Sequence, residues 1–193
     1  MVAVHSTMLP LGTSAPGFAL PDGTGRVWAL DEIADGAPAL VVSFLSNHCP
    51  YVKRIADGFG RVAAELAAQG VAVVGIMSND VEGYPDDAPD RMVEAAASWG
   101  WTFPYLYDES QAVALAYRAA CTPDTFVFDG DRRLAYRGQI DAARPSNDVE
   151  VTGADLRGAV DAVLAGGAPS DHQVPSLGCN IKWRAGNAPD WFG

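Results

Sequence analysis

Two almost uninterrupted apolar runs, Leu40-Val41-Val42-Ser43-Phe44-Leu45 and Val71-Ala72-Val73-Val74-Gly75-Ile76-Met77, flank a stretch with helical spacing. A strand that is apolar at successive positions must be covered on both faces, as happens in a parallel sheet flanked by helices. The two runs with the helix between them form a βαβ unit, with the helix expected from about Pro50 to Gln69 and Gly70 as its stop. Upstream, Phe18-Ala19-Leu20 and Arg26-Val27-Trp28-Ala29-Leu30 flank Pro21-Asp22-Gly23-Thr24-Gly25 and predict a small hairpin. Its Gly-Thr-Gly is a turn and not a phosphate loop, because no helix follows directly.

Downstream, the pattern predicts a helix from about Asp90 to Trp99, an extended piece at Phe103 to Tyr107 and a helix from about Glu109 to Ala120. Thr125-Phe126-Val127-Phe128 and Arg133-Leu134-Ala135-Tyr136-Arg137 flank Asp129-Gly130-Asp131, a strong hairpin signal. A last helix is expected from about Thr152 to Leu164. The expected fold is α/β, with a central mixed sheet flanked by helices, an N-terminal hairpin extension and an irregular C-terminal tail. Residues 1–169 are read as one domain and residues 170–193 as a tail packed on it.

The 193 residues suffice for one ordinary core. A net charge of −11 argues against nucleic acid and anionic membranes as partners. No apolar stretch reaches membrane-spanning length. Met1 to Pro16 lacks a basic segment followed by an apolar block, so the expected location is the cytoplasm. The cysteines, Cys49, Cys121 and Cys179, are odd in number and widely spaced, a poor disulfide framework but a good fit to redox or catalytic use. No Cys-x-x-Cys or His-x-x-x-His pair exists, and with only His5, His48 and His172 available no metal is expected. Trp99, Trp101, Phe103, Tyr105 and Tyr107 read as core and rim packing, and Asp86, Asp87 and Asp90 as a solvated loop and helix start.

The chemistry points to Asn47-His48-Cys49-Pro50-Tyr51-Val52-Lys53, where strand passes through a turn into helix. Unpaired N–H groups and the helix dipole at such a position favour negative charge, so a cysteine there tends to be thiolate, with a pKa of roughly 3.5–7.5. Pro50 suits the first helical turn, leaving the N–H groups of Tyr51 and Val52 free to face the sulfur. Lys53 would add positive potential or simply lie solvated on the helix surface. His48 would lower the thiol pKa further or shuttle a proton. Ser46 would donate to the sulfur or cap backbone at the strand end.

These features together resemble the thioredoxin superfamily, and within it the redoxin branch that groups alkyl hydroperoxide reductases and thiol-specific antioxidant proteins with thiol–disulfide oxidoreductases. Cys49 stands where thioredoxins carry the first cysteine of Cys-x-x-Cys. Thr122-Pro123-Asp124-Thr125-Phe126-Val127-Phe128-Asp129 resembles the loop with a cis proline and the strand behind it. Ser176-Leu177-Gly178-Cys179-Asn180-Ile181-Lys182-Trp183 is similar to the ending of a peroxiredoxin-like subgroup. The likeness covers roughly Leu11 to Ala165. Val52 replaces the second cysteine of Cys-x-x-Cys. Val42 and Ser46 stand where peroxiredoxins have proline and threonine, and Pro123 stands where they have arginine.

The resemblance implies a thioredoxin-like fold and a thiol-dependent oxidoreductase with Cys49 as nucleophile. Disulfide exchange ranks above peroxide reduction, and a non-catalytic binding module is the alternative. It further implies a cis bond before Pro123, with Thr122 backbone pairing to an extended substrate. Cys121 is the favoured resolving thiol by that alignment, with Cys179 and an external thiol such as glutathione as rivals. Expected partners are a disulfide or peroxide substrate and an external thiol reductant, with no cofactor; the oligomeric state stays open.

Overall fold

A computed structural model describes residues 3–192; Met1, Val2 and Gly193, which the expected domain and tail include, lie outside the described residues. In chain order the first half contains β1 (Ala3–His5), β2 (Ala19–Pro21), β3 (Val27–Ala29), α1 (Leu30–Ile33), β4 (Ala39–Phe44), α2 (Pro50–Ala68) and β5 (Ala72–Met77). The second half contains a short 3-10 turn (Pro85–Asp87), α3 (Pro89–Ser98), β6 (Tyr105–Tyr107), α4 (Ala112–Ala116), β7 (Cys121–Thr122), β8 (Asp124–Asp129), β9 (Leu134–Gly138), α5 (Ala154–Leu164) and β10 (Leu177–Asn180).

The central sheet has the order β6-β5-β4-β8-β9. β4, β5 and β6 run parallel through the βαβ unit, whereas β8 and β9 are antiparallel additions. Both faces of β4 are covered, which explains its unbroken apolar run. Ala39, Val41 and the following Leu45 pack with Val52, Ile55, Phe59 and Leu66 of α2. Leu40, Val42 and Phe44 face the other way, into Tyr117, Phe126 and Phe128. Side chains alternate across a strand, so one run serves two cores. Helix α2 ends where expected: Gly70 adopts φ +83°, and Val71 N–H reaches back to Leu66 O at 3.1 Å. That left-handed step closes the helix at little steric cost only with glycine. Among the described residues, no helix is long and apolar enough to cross a membrane.

Two elements depart from expectation. The helix expected from about Glu109 to Ala120 is confined to Ala112–Ala116. Gln111, left-handed at φ 64° and 1% exposed, spends its side chain on the carbonyls of Ser78 (2.7 Å) and Lys182 (2.9 Å). At the other end Arg118, at φ 51°, and the Ala119 N–H to Ala114 O bond of 2.9 Å close the helix in the way glycine usually does. The tail also differs, because β10 lies in a second sheet of order β1-β10-β7. Leu177-Gly178-Cys179-Asn180 shows no apolar alternation; backbone pairing on both edges makes it a strand.

Candidate functional site

β4 delivers the chain into a turn, Ser46–His48, that ends at Cys49, the N-cap of α2. Its carbonyl accepts the first helical hydrogen bond from Lys53 N–H at 2.9 Å. Pro50 is the first helical residue, where the missing N–H costs nothing. Cys49 is 0% exposed. Burial alone would push its thiol up, yet the thiol is pushed down to about 6. The largest cause is the thiol of Cys179, which donates to it; the Thr122 hydroxyl and the amides of Val52 and Cys179 add to the effect. The Val52 amide makes no conventional cap hydrogen bond, so it acts on the sulfur through its charge and direction. When protonated, Sγ–H donates to Thr122 O at 3.0 Å.

Cys179 is the other half of this pair and is pushed well up, first by its hydrogen bond to Cys49, then by burial and by the Cys49 charge. Two groups act against that shift, the Lys182 ammonium and the Tyr51 amide. The opening turn of α2 therefore serves both sulfurs, Val52 facing Cys49 and Tyr51 facing Cys179. The two thiols titrate together, with Cys49 displaced toward the thiolate and Cys179 toward the protonated form.

Beneath the turn sits a residue whose expected place was solvent. Asp87 is fully buried and gathers the turn around itself. Asn47 N–H donates to it at 2.6 Å, Ser46 Oγ at 3.0 Å, His48 Nδ1 at 2.7 Å and Asn79 Nδ2 at 2.7 Å. Burial works against its charge, but the bonds from His48 and Asn79 outweigh it and hold the carboxyl below its usual range. Only Asp86 and Asp90 match the solvated expectation. Tyr105 OH extends the network by donating to Asn47 Oδ1 at 3.0 Å.

The network redirects several predicted residues. Ser46 bonds to Asp87 and lies 3.2 Å from His48 Nδ1, instead of donating to sulfur. His48 gives its Nδ1 to Asp87 and stacks on Tyr84, with centroids 5.2 Å apart. Lys53 is exposed on α2. The cation beside the sulfurs is instead Lys182, buried and tied to Asn180 O and Oδ1 at 2.6 and 2.8 Å. Burial lowers its pKa, while the charges of Cys179, Cys49 and Asp87 pull the other way. Lys182 falls within the tail segment whose resemblance was noted, which was the only signal available for it.

The Thr122–Pro123 bond is cis, and Thr122 pairs with Cys179 across the β7–β10 ladder. Cys121 is buried with its Sγ toward Pro123 O at 3.4 Å. Its thiol is pushed well up, by burial first and then by the nearby charges of Asp124 and Cys49. The thiol in contact with Cys49 is thus Cys179 and not the sequence-favoured Cys121; the strand on which Cys179 sits was not visible in its residue pattern. Among the described residues, no group of three or more His, Cys, Asp or Glu could hold a metal ion. Clefts of about 440 and 300 Å³ lie along Gly166–Ala168 and α5, and no cysteine lines them.

Comparison with known proteins adds family and fold. The model of the AhpC/TSA family matches residues 11–137. The crystal structure of a hypothetical protein from Sinorhizobium meliloti is 52% identical, with a TM-score of 0.92 over 94% of this chain and 99% of that one. An uncharacterized conserved protein from Geobacillus kaustophilus is 48% identical, with a TM-score of 0.92 over 95% of this chain and 97% of that one. A peroxidoxin from Mycobacterium tuberculosis, 21% identical with a TM-score of 0.57 over 80% of this chain and 94% of that one, shares the thioredoxin-like fold. No curated protein matches the sequence.

Proposed function

The chain belongs to the AhpC/TSA family, and we propose that it is a thiol–disulfide exchange enzyme with Cys49 as nucleophile and Cys179 as resolving thiol. Thiol-dependent redox chemistry, with peroxide or disulfide substrates and a thiol reductant, is what the family implies in general. The observation that carries the finer reading is the opposite displacement of two touching thiols, Cys49 down to about 6 and Cys179 up.

In the first step the Cys49 thiolate attacks one sulfur of a substrate disulfide R–S–S–R′. A Cys49–S–S–R bond forms, the S–S bond of the substrate breaks and R′–S⁻ leaves. Cys49 then carries no charge, and the two Cys49 contributions that raised Cys179 vanish. Burial still opposes ionisation, Tyr51 N–H and Lys182 favour it, and the proton of Cys179 goes to the departing thiolate. The Cys179 thiolate attacks the Cys49 sulfur, forming Cys49–S–S–Cys179 and releasing R–S⁻. Two electrons have passed from the cysteine pair to the substrate, and an external thiol reductant returns them. Asp87 fixes the turn that carries Cys49. The tail beyond residue 169 is in this reading part of the working unit.

Stopped-flow mixing of reduced protein with a model disulfide and, separately, with hydrogen peroxide tests the reading. Fast reaction with the disulfide, loss in Cys49→Ser and peptide mapping of a Cys49–Cys179 bond are expected. A faster reaction with peroxide supports the second reading, peroxide reduction through a sulfenic acid, which family membership favours. Mapping of a Cys49–Cys121 bond contradicts the assignment of Cys179.

A further inference from the structure

We propose that β10 is a built-in substrate strand, occupying the place where an extended cysteine-bearing polypeptide docks, so that substrate reaches Cys49 only by strand exchange. The inference rests on the exchange reading above and goes beyond it, naming the occupant, the gate and the preferred substrate.

Cys49 and Cys179 are 0% and 3% exposed, so in the seated state neither sulfur is available to a macromolecular disulfide. The tail lies directly against Cys49. β10 pairs antiparallel with β7, Cys179 opposite Thr122 and Asn180 opposite Cys121, and its Cys179 thiol donates to Cys49. The tail thus offers the nucleophile what an incoming chain would offer, an extended backbone on the β7 edge and a sulfur at its tip. The cavity between β10, α2 and the Pro123 loop, bordered by Tyr51, Pro123, Ser176 and Leu177, measures about 20 Å³, room for about one water. That cavity leaves no room for a substrate chain beside Ser176 and Leu177.

The contact also has a sequence requirement. A Cβ on Gly178 would lie 2.1 Å from Thr122 O and 2.5 Å from its carbonyl carbon, both rigid backbone atoms. The residue before the docked cysteine must therefore be glycine for the ladder to close at this spacing. An external chain using the same edge meets the same carbonyl, so the slot selects extended polypeptides with a Gly-Cys step. Its other anchors flank the strand: β1 and Ser6 N–H to Ser176 O at 2.9 Å on one side, and on the other Ile181 N–H to Ala120 O at 3.1 Å, Lys182 N–H to Asn79 Oδ1 at 2.8 Å and the Lys182 carbonyl, which accepts from Asp80 N–H at 2.8 Å and Gln111 Nε2 at 2.9 Å. Neither β1 nor β10 belongs to the central sheet, so both can leave without opening it.

The test uses the full-length reduced protein. At a pH above 9.0, the ordinary thiol value, where Cys49 ionises with or without its Cys179 donor, iodoacetamide alkylation of Cys49 is expected to be slow in wild type and at least ten-fold faster in Gly178→Ala, with circular dichroism showing the fold retained. An unchanged rate in folded Gly178→Ala overturns the gate. Should that variant fail to fold, amide exchange in wild type decides. Opening of Gly178–Asn180 well before β4, β5 and β8 supports the gate, and opening only together with them overturns it. Extended peptide disulfides with Gly-Cys are expected to react at least five-fold faster than the same peptides with Val-Cys. Equal rates overturn the shared slot. Failure of both peptides while Gly178→Ala accelerates alkylation leaves the gate standing and removes the exchange reading instead.

Discussion

Cys49 and Cys121 are both 0% exposed, and both lie beside the Thr122–Pro123 loop. One thiol is pushed down to about 6 and the other well up. Burial is common to the two and so cannot be what separates them. The separation lies in what each sulfur meets. Cys49 caps a helix of nineteen residues, and its value is lowered first by the Cys179 thiol and then by Thr122 and the amides of Val52 and Cys179. Cys121 opens the two-residue strand β7, its sulfur turned to a carbonyl oxygen and its neighbour Asp124 adding negative charge. Each sulfur has a carbonyl oxygen in reach, so the difference lies in the donors that face Cys49 and in the Asp124 charge beside Cys121.

The largest test of this contrast is removal of each sulfur. Cys49→Ser is expected to lower disulfide reduction by about a thousand-fold or more, since the nucleophile is lost. Cys121→Ser should leave the rate within about two-fold under the same steady-state assay. A comparable loss in both would place Cys121 in the chemistry and break the comparison.

Removing the donor sharpens it. Cys179→Ala deletes the largest cause of the low Cys49 value, so the pH at which Cys49 ionises should rise. Turnover should stop at the Cys49–substrate mixed disulfide, which mass spectrometry would detect as the accumulating species. An unmoved ionisation together with normal turnover would mean that the amides act alone.

Asp87→Ala tests the support below the turn. It leaves the buried donors of Ser46, Asn47, His48 and Asn79 without their acceptor, at an expected cost of about 3–5 kcal/mol by denaturant unfolding. Cys121 stands apart from this network, so its slow alkylation should change only as far as global stability does.

Asp124, beside Cys121, provides the smallest effect and a check on sign. It is fully buried, and burial pushes it up to about 6 despite bonds from the Ala120 amide and the hydroxyls of Ser6 and Ser176. A carboxyl raised on folding binds its proton more tightly in the native state. Its stability contribution is therefore present below the ordinary value near 3.8 and lost as pH rises to about 6. The loss amounts to roughly 3 kcal/mol at 1.36 kcal/mol per tenfold. Asp124→Asn should flatten the decline between about pH 4 and 6 in denaturant titrations. An unchanged slope would show that those donors fully compensate the burial.

Much of the frame could be read from the chain, because apolar patterning is local. Leu40–Leu45 and Val71–Met77 announce buried strands, and the spacing of Val52, Ile55, Phe59, Val62 and Leu66 announces the α2 face. The position of Cys49 before Pro50 announced a helix N-terminus. Asp87 could not be read this way. In a Pro/Asp-rich segment its surroundings resemble a solvated loop, and only the return of Ser46–His48 from forty residues away buries it. Cys179 was named as a rival, but Leu177–Asn180 has no strand pattern of its own. Its place depends on two backbone edges, and on a glycine whose lack of a side chain is the signal.

Whether one sulfur is held ionised is answered most directly by titrating the ultraviolet thiolate absorbance of reduced wild-type protein and subtracting that of Cys49→Ser. This readout is indifferent to access. The account predicts a single thiolate appearing near pH 6, well before any other cysteine ionises. A difference curve that rises only near pH 9, the ordinary value for a thiol, would contradict it.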